Sequence, residues 1–255
     1  ADNLGFFELP TPGVANLMMA MTATKLVAEN TAKRVLIPVA DIGETWRADL
    51  AFDDRGWIPC TGDPGGVGFE RSTGYERYIS LDVGVQMYNR NATCYIRIPF
   101  SVDSNPANFT RMVLRVRYDD GLVAYINGVE VARVNFTGTP RWSSNADGNH
   151  DDSAAVIFEE IDISSHTSAL RQGYNLLAIH GLNSSIGSSD FLISAELVAT
   201  VTGSQAEFLA EALALLNGLR ITELMYHSPN GGNFDFVELQ NISDVTLNLT
   251  GIRIT

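Results

Sequence analysis

The sequence predicts an all-β chain built around one β-sandwich, and three observations carry that reading. Short segments alternate apolar and polar side chains with period two, Gly, Asn and Asp punctuate them, and a single stretch, 204–217, has helical spacing. The 255 residues hold one large or two ordinary domains and suffice to bury a core without metal or disulfide staples.

Residues 1–21 read as an extended tail, because Pro10, Pro12 and Gly13 fall too close together for a helix. The sandwich is expected over 22–202. In Cys94–Phe100 the period of two places Cys94, Ile96, Ile98 and Phe100 on one face, and in Met112–Tyr118 it turns Leu114, Val116 and Tyr118 inward and Arg115 and Arg117 outward. Asp120-Gly121 and Asn127-Gly128 then read as two tight turns joining three consecutive antiparallel strands into a meander. Leu176–Leu182 and Leu192–Val198 are nearly continuous in apolar residues, as strands covered on both faces are. One buried core is therefore expected to gather Leu114, Val116, Ile126, Ile179 and Leu192. Over 203–218, Ser204 and Glu207 form a capping box, Phe208, Leu209, Ala212, Leu213 and Leu216 share a face, and Gly218 ends a linker helix. Residues 219–255 supply three strands, at Arg220–Tyr226, Phe234–Gln240 and Leu247–Ile254, too few to close a sandwich, so this domain reads as truncated.

Composition excludes several functions. A formal charge of −13, from 17 basic and 30 acidic residues, repels phosphate backbones and speaks against a nucleic-acid partner. No apolar run reaches membrane-spanning length, so no membrane insertion is expected. No basic n-region opens the chain, which reads as starting at a mature or internal position. Cys60 and Cys94 are the only cysteines; they read as a disulfide or as two buried free thiols.

Three blocks carry a resemblance. Phe52-Asp-Asp-Arg-Gly-Trp57, Gly65-Gly-Val-Gly-Phe-Glu70, Thr93-Cys-Tyr-Ile-Arg-Ile-Pro-Phe100, Arg117-Tyr-Asp-Asp-Gly121, Tyr125-Ile-Asn-Gly-Val-Glu-Val-Ala132 and Asn175-Leu-Leu-Ala-Ile-His180 together resemble a galactose-binding-like jelly roll. Arg220-Ile-Thr-Glu-Leu-Met-Tyr226, with Asp235–Asn241 and Leu247–Gly251, resembles the opening of an immunoglobulin-like lamin-tail domain, and Gly5–Asn16 is similar to the close of one. Such blocks occur in large secreted proteins of planctomycete- and verrucomicrobia-type bacteria. The resemblance implies an extracellular or cell-surface module string, with neighbouring protein modules as partners and head-to-tail self-assembly through the opening segment.

The chemistry expected of the chain is binding. Among His150, His166, His180 and His227 there is no HExxH spacing, no nucleophile elbow or phosphate loop is present, and His180 on its apolar strand reads as a core histidine. No catalytic residue is assigned. Asp119-Asp120 at a strand-end turn reads as a Ca²⁺ site or as a turn cap. Asp-Asp-Gly before an Asn-Gly hairpin also resembles PA14-type lectins, which implies a Ca²⁺ that touches sugar hydroxyls. Trp142, Tyr75, Tyr78 and Tyr88 fall in expected loops, as sugar-stacking or as packing aromatics, while Trp46 and Trp57 are expected in the core and Asp53-Asp54 in a solvated turn. The function expected is a non-catalytic, polysaccharide- or glycan-binding adhesion module. The alternatives are a structural spacer or a filament or surface-layer subunit, and an accessory domain of a polysaccharide-active enzyme.

Overall fold

A computed structural model describes residues 21–202, 213–225, 236–247 and 249. Contacts divide the chain into a unit over 23–201 and a second unit formed by the two ends. In the first unit the strands run in chain order as β1 (Met21–Val27), β2 (Lys33–Leu36), β3 (Ile58–Cys60), β4 (Gly66–Glu70), β5 (Ile79–Asp82) and β6 (Thr93–Val102). They continue as β7 (Phe109–Asp119), β8 (Gly121–Ile126), β9 (Val129–Val134), β10 (Glu159–Asp162), β11 (Gly173–Leu182) and β12 (Asp190–Thr202). One sheet has the order β10-β7-β12-β4-β5, with β1 also on β12, and the other β3-β2-β6-β11-β8-β9. The two sheets share one apolar interior, so the unit is a β-sandwich.

The apolar strands are central, as their sequences require. β11 lies between β6 and β8, and β12 between β7 and β4. Alternation then sorts the side chains: Leu177 and Ile179 of β11 enter the inter-sheet core with Ile96, Ile98, Leu114, Val116 and Ile126. Leu176 and Ala178, on the opposite face of β11, join an outer cluster of Trp46, Trp57, Tyr95 and Tyr125. Between the sheets Gly181 faces Phe191 and Ile193, where an added Cβ would come within 2.8 Å of each.

Two sequence expectations are corrected. Asn127-Gly128 does form a hairpin, with φ of 50° and 88° and β8 paired to β9. Asp120-Gly121 does not. The chain there leaves the first sheet and enters the second, so β7 and β8 are not a hairpin and the three-strand meander is absent. The Asp119–Asp120 peptide at this corner is cis. All five expected core side chains are buried, but Leu192 lies outside the inter-sheet core, in a small cluster with Tyr75 and Ala155.

In the second unit β13 (Leu219–Met225) pairs antiparallel with β14 (Phe236–Asn241). Residues 213–218 are helical. The expected capping box, most of the third expected strand and the opening tail lie outside the described residues. No helix among the described residues is long and apolar enough to cross a membrane.

Candidate functional site

Topology brings many loops to one end of the sandwich. β2, β4, β7, β9 and β11 end there, and β6, β8 and β12 begin there. The loops after Leu36, Glu70, Asp119, Val134 and Leu182 therefore share this end with the segment leading into Thr93. They contain Trp142, Tyr75 and the Asp119-Asp120 corner.

At the corner the two aspartates have different tasks. Asp120 accepts from the backbone N–H of His150 at Oδ1 and of Ser184 at Oδ2, both at 2.7 Å. Its own N–H donates to the Leu182 carbonyl and its carbonyl accepts from the Asn135 amide, each at 3.0 Å. Asp120 thus ties the 135–150 and 183–190 loops to the corner. Asp119 is 1 % exposed, and its Oδ2 is buried without a hydrogen-bond partner in place, as is the hydroxyl of Tyr75 beside it. Burial first, then the neighbouring Asp120 and Asp190 carboxylates, push its pKa up to about 10. Carboxylates held together out of water repel one another unless one is neutralised, so this cluster calls for a proton or a cation.

Asn183 and Asp190 complete the surroundings, and neither is among the ligand-binding candidates that the sequence offers. The Asn183 amide donates to the Asp190 carbonyl at 2.6 Å, and Asn183 Oδ1 is, like Asp119 Oδ2, buried without a hydrogen-bond partner in place. Ser188 and Ser189 hydroxyls donate to the two oxygens of Asp190. A lone Asn at the end of an apolar strand carries no local signal; only the fold places it beside Asp190. No three His, Cys, Asp or Glu side chains among the described residues are arranged to hold a metal ion. A Ca²⁺ ion would have to draw on amide oxygen such as Asn183 Oδ1 and on backbone carbonyls, which it accepts readily.

The four candidate aromatics are not gathered into one surface. Tyr75 is 1 % exposed, which corrects its expected role as a loop aromatic open to ligand: its loop folds back so that the ring covers Leu192. Its phenol pKa is raised, by burial first and then by Asp119. Tyr78 packs beside the same cluster, under the Arg77 and Arg117 guanidinium groups. Tyr88 lies under Arg71 and meets Phe69 edge-on. Trp142 lines open space, as a wall shared by two clefts of about 390 and 100 Å³.

Cys60 and Cys94 are buried free thiols, the second of the two readings the sequence left open, and the disulfide is absent. β2 lies between their strands, so their Cα atoms are at least two strand spacings apart, about 9–10 Å, beyond the roughly 7 Å that a bridge spans. Trp46 and Trp57 are core residues as expected, Trp46 stacking on Tyr95 at 4.1 Å. Asp53 caps its own turn and pairs with Arg55, whereas Asp54 reaches the buried Arg97, a contact sequence spacing does not announce.

His180 is a core histidine, 1 % exposed, bonded to Thr93 Oγ1 at 3.2 Å and edge-on to Tyr95. Burial, with Arg47 and Arg133 nearby, lowers its pKa to about 3. The unfolded chain then takes up a proton near pH 6.5 that the folded chain refuses until about pH 3. Stability from this group is full above 6.5 and is lost as pH falls towards 3, by up to about 1.4 kcal/mol per pH unit. Urea unfolding at pH 7 and pH 4.5 should show a smaller difference in His180→Gln than in the parent. An equal difference would place the acid sensitivity elsewhere.

No protein-family model and no curated protein sequence matches the chain. Among solved structures it is similar to Bacteroides uniformis β-glucuronidase 2, with 17 % identity over 71 % of this chain and 18 % of that one, at a TM-score of 0.41. An uncultured Clostridium sp. β-glucuronidase matches with 14 % identity over 71 % of this chain and 29 % of its own, at 0.39. A glycosyl hydrolase family 2 member from Bacteroides cellulosilyticus matches with 14 % identity over 70 % and 20 %, at 0.35. The chain spans less than a third of each, and likeness of this degree says nothing of activity.

Proposed function

We propose that the 23–201 unit is a non-catalytic glycan-binding module with a galactose-binding-like fold, serving as an accessory domain that keeps a polysaccharide-active enzyme on its substrate. One observation carries the reading: Trp142 stands as an aromatic wall between two clefts, at the end of the sandwich where most of its loops meet. A flat apolar ring beside polar groups suits the CH face of a sugar, and loops on a rigid sandwich are where such sites are built. At the opposite end a hollow of about 410 Å³, lined by residues such as Asn105, Pro106 and Thr167, has neither aromatic nor charged lining residues.

Ca²⁺ at Asp119 is part of this proposal, as a brace rather than as a sugar contact. Asp119 and Asp120 are 1 % and 3 % exposed, too closed to meet a ligand directly. The same corner holds the Trp142 loop: Ala146 donates to the Asn183 carbonyl at 2.9 Å and Asn145 to the Ser184 carbonyl at 3.0 Å.

The test is retention of the full chain on a polysaccharide panel by affinity electrophoresis. At least one polymer should retard it, and Trp142→Ala should weaken that binding about tenfold or more, the scale of losing one buried aromatic contact. Because Trp142 packs partly on the outer cluster, its variant is compared at equal melting behaviour, with Arg141→Ala as a second probe of the smaller cleft. Failure to bind any polymer would leave the spacer or assembly role.

A further inference from the structure

The larger Trp142 cleft has a charge character opposite to that of the chain as a whole. Ile37, Pro38, Val39, Gln86, Arg90, Asn91 and Trp142 line its 390 Å³, a volume within the range of small-molecule sites, about 300–1,000 Å³. Arg90 is the one charged group among them, and no carboxylate lines the cleft among the described residues. The chain as a whole carries −13, and seven other arginines each pair with a carboxylate among the described residues, Arg47, Arg97, Arg115 and Arg117 among them. Arg90 is exposed and in no ion pair among the described residues.

The walls are held in place. Asn91 is 7 % exposed, and its amide donates to the Pro38 carbonyl at 2.6 Å and to the Trp142 carbonyl at 2.9 Å, joining the two sides of the cleft from beneath. A buried amide spent on both walls makes the gap between Pro38 and Trp142 a built feature, set before any ligand arrives. An unpaired guanidinium beside an apolar wall matches one class of sugar, because its planar fork meets a carboxylate with two parallel hydrogen bonds.

Resting on the glycan-binding reading, we propose that this cleft takes an acidic sugar residue, a uronate, with its ring against Trp142 and its carboxylate on Arg90. Gln86, exposed on the rim, then faces the ring hydroxyls. The net charge of the chain opposes acidic polymers in general, so any preference for them must come from a local site.

The experiment offers the full chain pectate, alginate and hyaluronan, each beside its carboxyl-reduced neutral form, with a sulfated galactan that lacks uronate as a further arm. At least one uronate polymer should bind about tenfold or more tightly than its reduced form, the effect of one charge-assisted pair, and Arg90→Gln should erase that preference at an unchanged melting temperature. Equal binding of acidic and reduced polymers, or a preference that survives Arg90→Gln, overturns the assignment while glycan binding stands. Preference for the sulfated galactan over every uronate polymer overturns it as well. If no sugar polymer binds, the glycan-binding reading falls with it.

Discussion

Asp54→Ala is expected to destabilise the sandwich by about 2–4 kcal/mol and to lower its melting temperature by about 10 °C. Arg97 points from β6 to the outer face of its sheet, where residues 45–57 cover it, and its side chain is 3 % exposed. Its Nε donates to Asp54 at 2.7 Å, and its terminal nitrogens donate to the Trp46 and Asp49 carbonyls beside the Phe52 ring. Carbonyls satisfy the donors of a guanidinium but do not neutralise it, so losing Asp54 leaves a buried charge without its counter-ion. Asp54 retains about a quarter of its exposure, which places the effect below that of a fully buried pair. Replacing both partners, as in Asp54→Ala with Arg97→Met, should recover much of the loss, because the desolvation cost disappears with the charge. Thermal unfolding of the parent and the two variants measures this. A single variant within about 1 °C of the parent would mean that the carbonyls alone carry Arg97.

Much of the architecture was legible because burial writes itself into period and continuity. β11 and β12 read as central from their unbroken apolar runs, and Asn127-Gly128 as a hairpin from the backbone angles those residues tolerate. Asp120-Gly121 carries the same turn chemistry yet moves the chain between sheets. What differs is the partner of β7, which is β10 and β12, and pairing at such separation leaves no mark on the turn itself. The same limit explains Tyr75: its own stretch reads as a loop, and only Leu192, distant along the chain, turns it into cover for a sheet face. For Cys60 and Cys94, two cysteines near in sequence look available to each other until β2 is placed between them. Of the candidate site, the aspartate pair and Trp142 were visible as residue types in turns. Asn183, Asp190, Asn91 and Arg90 were not, because each acquires its role from a neighbour on another strand or loop.

Calcium is expected to raise the melting temperature of the full chain, and Asp119→Asn to abolish that response. The variant of choice is Asp119 rather than Asp120, since both Asp120 oxygens already accept backbone N–H groups, whereas Asp119 Oδ2 and Asn183 Oδ1 are buried oxygens that accept no hydrogen bond among the described residues. Binding to the folded chain alone adds about 2.7 kcal/mol at a hundredfold excess over Kd, or about 5–10 °C for a unit of this size. A proton competes for the same oxygens. With the Asp119 pKa pushed up to about 10, the calcium-free folded chain keeps a proton that the unfolded chain releases above the ordinary value of 3.8. Its contribution is therefore full below 3.8 and declines as pH rises towards 10, by up to about 1.4 kcal/mol per pH unit. Calcium takes the place of that proton, so its stabilising increment should grow with pH, the opposite trend. In chelator at pH 8, Asp119→Asn should be at least as stable as the parent, because the amide needs neither proton nor cation. If calcium leaves the parent unchanged at pH 8 while Asp119→Asn still gains stability there, the corner holds a protonated aspartate and no metal, and the brace of the Trp142 loop consists of hydrogen bonds alone.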